Sequence, residues 1–178
     1  MKRLFLVSAW IAAVVSLAAG CSLGVHDAGS ASSTTAVNVR PPASCLPRLP
    51  SSIDNSGLAG LPAQLVPITA TSARVCRYAP LDSKRANALV GSGVVTDGAA
   101  VRKLESETNA LHHISNAEQI PCPLNPTAPG WSIVFADGES SVVVIVAASD
   151  CGFATNGVVS AGPTTSWLAA LALVAKSG

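Results

Sequence analysis

The residues of this chain that could do chemistry are its cysteines, its histidines and a few carboxylates. His112 and His113 are adjacent, with Glu118 close behind. On a helix, neighbours point about 100° apart, so the two imidazoles do not converge on one ion. A His-Glu-x-x-His zinc site needs its histidines at i and i+4, on one face. The pair reads instead as histidines at a helix C-terminus, where partial positive charge suits the dipole. Asp137, Glu139 and Asp150 surround an Asp-Gly turn. Carboxylates there could serve acid–base or calcium chemistry, but solvated turn residues are the simpler reading. No Gly-x-Ser-x-Gly elbow, P-loop or EF-hand loop occurs, and the Gly-Ser-Gly at 91–93 is too short to cradle a phosphate. The five cysteines, at 21, 45, 76, 122 and 151, include no Cys-x-x-Cys. Neither a zinc ribbon nor a thioredoxin-like centre is therefore signalled. The expectation is a chain with no catalytic residue, no metal and no cofactor.

Five is an odd number, and Cys21 explains it. Met1-Lys2-Arg3 forms a short positive start, and residues 4–19 carry no charge. That run is short for a bilayer-spanning helix, which needs about 20 residues, and it suits the apolar region of a secretory signal. The run leads into Leu17-Ala18-Ala19-Gly20-Cys21, which resembles the lipobox of bacterial lipoproteins, with Ala18 where leucine is usual. The resemblance implies a diacylglyceryl group on the Cys21 thiol, cleavage before it, and anchoring at the extracytoplasmic face of the cell membrane. Two acyl chains on one residue anchor stably where one does not. Residues 1–20 are then the signal peptide. Residues 21–44, small and polar, form the lipidated cysteine and a tether spanning on the order of 25 Å.

Cys45, Cys76, Cys122 and Cys151 remain. An even set in an exported chain reads as a disulfide framework. Three pairings are possible, and Cys45–Cys76 with Cys122–Cys151 is the favoured one. Loss of Lys2 and Arg3 with the signal turns the formal charge from +1 to −1. That balance lacks the basic stripe of a nucleic-acid binder. Residues 45–178 are of a length for one domain.

The elements that must position these residues follow from period and punctuation. Residues 45–67 are proline-rich and predict irregular structure. Residues 73–79 alternate as a strand, and residues 87–96 offer a second one containing Gly91 and Gly93. Thr96-Asp97 can cap a helix. Val101, Leu104, Thr108 and Leu111 then recur at helical spacing, which predicts a helix over 98–114. Prolines at 121, 123, 126 and 129 interrupt regular structure. Residues 131–136 and 141–149 read as strands joined by the Asp137-Gly138 turn, and residues 153–160 as a further edge strand. Pro163 suits the first turn of a last helix, with Trp167, Leu171 and Val174 on one face. It is apolar nearly all round, so it is either buried or docked. The order β-β-α-β-β-(β)-α predicts an α+β domain: an antiparallel sheet of four to five strands, two helices on one side and two disulfides.

Two further resemblances bear on function. The string TNAL…PCPLN…FADG…SDCGFATNG is similar to the second half of the Streptomyces subtilisin inhibitor family. That implies a reactive bond at Leu124–Asn125, with Leu124 in the protease's specificity pocket and Cys122–Cys151 stiffening the loop. The wider pattern VCRY…CP…ADG…DCG…NG is similar to secreted or lipid-anchored actinobacterial proteins of unassigned function, and implies an architecture without an activity. The expected function is a lipid-anchored extracytoplasmic module that binds without catalysis. Its expected partners are the membrane, through the lipid, and an envelope protein or small apolar ligand. Protease inhibition at Leu124–Asn125 is the alternative.

Overall fold

The computed structural model describes residues 43–54, 56–115, 125–147 and 152–176. The signal segment, Cys21, the tether through residue 42, Glu118, Cys122, Leu124, Asp150 and Cys151 lie outside the described residues. The strands are β1 (Ser72–Tyr78), β2 (Leu89–Val95), β3 (His112–His113), β4 (Gly130–Ala136), β5 (Ser141–Val146), β6 (Ala154–Thr155) and β7 (Ser160–Gly162). The helices are α1 (Gly98–Asn109) and α2 (Thr165–Val174). All strands pair antiparallel in one sheet, ordered β2-β1-β4-β5-β6-β7-β3.

This corrects the expected fold class. The protein is mostly β, with a seven-stranded sheet where an α+β domain with four to five strands was expected. Two local events account for the difference. First, α1 ends at Asn109 with Ala110 as its cap, five residues short of the expected end. Leu111 is still buried, but it leads into β3, where His112 and His113 pair with Gly162 and Ala161. Second, the single edge strand expected at 153–160 is a hairpin. The Asn156 side chain accepts from the amides of Val158 (2.9 Å) and Val159 (2.8 Å), and Gly157 turns at φ 86°. The loop between the paired Thr155 and Ser160 is four residues long, and Gly157 supplies its positive φ. One disulfide, Cys45–Cys76, is seen among the described residues, not two.

Strand alternation divides the sheet's side chains. Val75, Ile133, Phe135, Val144 and Val146 face the two helices and join Val101, Leu104, Trp167 and Leu171 in one core. Burying a side chain such as Leu171 contributes about 1.5–3 kcal/mol. The opposite face carries Cys76, Tyr78 and Ser132, and the Tyr78 hydroxyl lies 3.3 Å from the Ser132 hydroxyl. Cys45–Cys76 fastens the N-terminal segment to that face. Its sequence separation of 31 makes the closed loop worth about 3–4 kcal/mol in the chain-entropy view.

The expected irregular stretch before β1 is held by side chains from distant elements. The Asn109 amide donates to Val66 O (2.9 Å) and its oxygen accepts from Val66 N (2.8 Å). Asn156 donates to Gln64 O and Leu65 O, and Glu105 accepts from Ala70 N. α1 starts at the Asp97 cap that the sequence marks, whereas Pro163 lies before the α2 cap, Thr164, and not in the first turn expected for it. Asp97 accepts from Ala100 N (2.9 Å) at the head of α1, and Thr164 accepts from Trp167 N (3.2 Å) at the head of α2.

The C-terminal end of α2 lies directly on β2. A β-carbon on Gly91 would stand 2.9 Å from the Ala175 carbonyl oxygen, and one on Gly93 would collide with the Val174 carbonyl oxygen. Both clashes are with backbone, which cannot rotate away. Gly93→Ala should therefore lift α2 from the sheet and destabilise the protein by about 1–3 kcal/mol, read as a lower urea midpoint. An unchanged midpoint would contradict this packing.

Candidate functional site

An apolar groove of about 530 Å³ lies between α1, α2 and the end of β2. Leu104, Leu111, Trp167, Ala170 and Val174 line it, with Val95 at the strand end. Lys103 and Glu107 stand at its margin as an exposed pair 3.9 Å apart. Such a pair contributes little to stability.

One polar contact sets the spacing of the helices. Trp167 is 3% exposed, and its indole N–H donates to the Thr108 hydroxyl at 3.1 Å. That hydroxyl donates in turn to Leu104 O at 2.7 Å. A buried indole N–H needs a partner, and Thr108 is placed for it by the same helical spacing that puts Leu104 in the core. The sequence marks Thr108 as one position of an apolar stripe and Trp167 as one of a helix face. It carries no local sign that the two meet.

Among the described residues, those singled out for chemistry are not brought together. His112 and His113 are exposed on the two-residue edge strand β3 and do not line the groove. They extend from strand geometry, not from the helix end expected for them. Among the described residues, no group of three or more His, Cys, Asp or Glu side chains is placed to hold a metal. Asp137 caps the β4–β5 turn, accepting from Ser140 N (2.7 Å) and Glu139 N (3.0 Å). These two amides, Ser140 first, hold its carboxyl below the ordinary carboxylate range. Glu139 is exposed beside it. Asn125 accepts from the amide and the hydroxyl of Thr127 at 3.0 and 2.7 Å, a local turn. Its partner in the inhibitor resemblance, Leu124, lies outside the described residues. Gly91-Ser92-Gly93 lies within strand β2 and receives α2. Cys45 and Cys76 are joined.

No helix among the described residues is long and apolar enough to cross a membrane. In α2, Trp167 and Leu171 are buried, whereas Leu173 is 70% exposed. No protein family, curated protein or solved structure matches the chain.

Two measurements check this description. Thr108→Val keeps shape but strands the Trp167 N–H, and should cost about 1–3 kcal/mol by urea unfolding, with a change in tryptophan fluorescence. Asp137 has a folded pKa below its unfolded one. Its contribution is therefore present above about pH 4 and is lost as pH falls through the lower folded value. Carboxyl shifts followed by NMR should place the Asp137 midpoint below that of an aspartate in an unstructured peptide, and an equal or higher midpoint would refute the turn assignment.

Proposed function

We propose that this protein is a lipid-anchored domain on the extracytoplasmic face of the cell membrane that works by binding an envelope component and performs no catalysis. The observation that carries the reading is the Cys45–Cys76 bridge. Disulfides persist in oxidising compartments, in keeping with export behind the signal that Cys21 closes. The bridge also ties the chain just past the tether to the central sheet, so an anchor at Cys21 would hold the whole domain. The apolar lining between α1 and α2 supports an occupant with an apolar group.

Two arms test the proposal. Wild-type protein expressed in a bacterium with lipoprotein processing should incorporate labelled fatty acid and sediment with membranes. Cys21→Ser should do neither. Wild type without label would remove the anchor from the reading. A photo-crosslinker at Ala170, in the groove, should then capture a discrete adduct on intact cells that the same probe at Glu139 does not. Identical behaviour at the two positions would remove the groove as the binding surface.

A further inference from the structure

We propose that the depression where Arg77, Arg85 and Lys176 meet is a phosphate-binding site. It has a volume of about 570 Å³ and is also lined by Ser92, Leu89 and Val90. It lies at the other end of β2 from the apolar groove, around Gly91 and the last turn of α2.

Charge is the first argument. Among the described residues, three cations line the depression and no carboxylate does. Among the described residues the recorded ion pair is Lys103–Glu107, on α1. Asp82 belongs to the same turn as Arg85, but it is not part of the lining. Its backbone amide donates to Pro126 O.

The second argument is an unsatisfied donor. The Arg77 Nε is buried and has no hydrogen-bond partner. Buried polar groups are nearly always paired, and an orphan invites a missing partner. The guanidinium carbon lies over the Trp131 ring, 5.6 Å from its centroid, from the cross-strand position in register with it. A planar fork held this way is preorganised for the oxygens of a tetrahedral oxyanion. Ser92 and Lys176 can supply further donors. Three positive charges favour a phosphate dianion over a single carboxylate, since attraction scales with the product of charges.

The fold builds this arrangement from distant segments. Arg77 pairs with Gly91 in the β1–β2 ladder, and Gly91 admits the end of α2 that carries Lys176. Asn87, at φ 57°, shapes the turn that presents Arg85. Cations at a helix C-terminus also favour the helix dipole, and that alone would make the cluster a stability device. Such a role predicts an effect on unfolding and none on ligand.

Phosphate chemistry has two sources here, a phospholipid headgroup or a soluble phosphate. Leu89 N donates to Pro47 O and Leu49 N to Asn87 O, both at 3.0 Å. The segment leading back toward Cys21 therefore passes beside the depression, and Val90 on its rim is 49% exposed. The headgroup source rests on the anchored reading above; the phosphate site does not.

The test uses the exported full chain carrying Cys21→Ala, labelled with ¹⁵N-arginine, so it does not depend on lipidation. Inorganic phosphate should produce a saturable shift of the Arg77 Nε–H resonance. Arg85→Ala and Lys176→Ala, both at exposed positions, should each weaken binding about tenfold with little change in thermal midpoint. Arg77→Lys keeps the charge but should abolish saturable binding, followed by ³¹P NMR. Sedimentation with phosphatidylglycerol but not phosphatidylcholine vesicles, competed by phosphate, assigns the headgroup source. Saturable phosphate binding with no vesicle preference assigns the soluble one. The proposal is overturned by the absence of a saturable shift, by a shift that sodium chloride at equal ionic strength reproduces, or by variants that lower only the thermal midpoint.

Discussion

The helical layer of this protein depends on a backbone-to-backbone approach. The end of α2 rests on β2 because Gly91 and Gly93 carry no side chains. From that contact the rest of the layer is placed in turn. Seating α2 brings Trp167 to Thr108, which sets the gap to α1. The gap is the apolar groove along α2. Just past the C-terminal end of α2, the same contact carries Lys176 to Arg77. Two candidate binding features of opposite character thus share one geometric cause. Moving α2 would alter both.

The sheet's other connections are made by polar side chains acting on backbone. Asn109 and Asn156 each satisfy carbonyls of the stretch before β1, and Glu105 caps an amide there. A buried irregular segment must find partners for its backbone groups. This one finds them on α1 and on the β6–β7 turn, which explains how Leu65 and Val66 can be fully buried without regular structure.

The parts of the fold that could be read in the sequence are those that local chemistry determines. Asp97 marks a helix start because its side chain caps the helix's own amides. Asp137-Gly138 marks a hairpin because the turn closes on itself. The end of α1 was not readable in this way. Leu111 continues the apolar spacing whether the chain stays helical or extends, and both conformations bury it. Strands of two or three residues, such as β3, β6 and β7, are too short to carry a period. The groove and the cationic depression were hidden for a different reason. Thr108 and Trp167 stand 59 residues apart, and Arg77 meets Lys176 only through strand register and a missing side chain. No local pattern encodes such meetings.

The disulfide has a mechanical consequence. Tension applied along the chain from the N-terminal side of Cys45 passes through the sulfur bridge into Cys76, in the interior strand β1, with β2 on one side and β4 on the other. The residues between the two cysteines carry none of it. The irregular stretch before β1 is thereby shielded from pulling, and the force is delivered to a strand secured by ladders on both edges. A domain pulled from its N-terminal side and wired in this way would be strained last in its irregular segment.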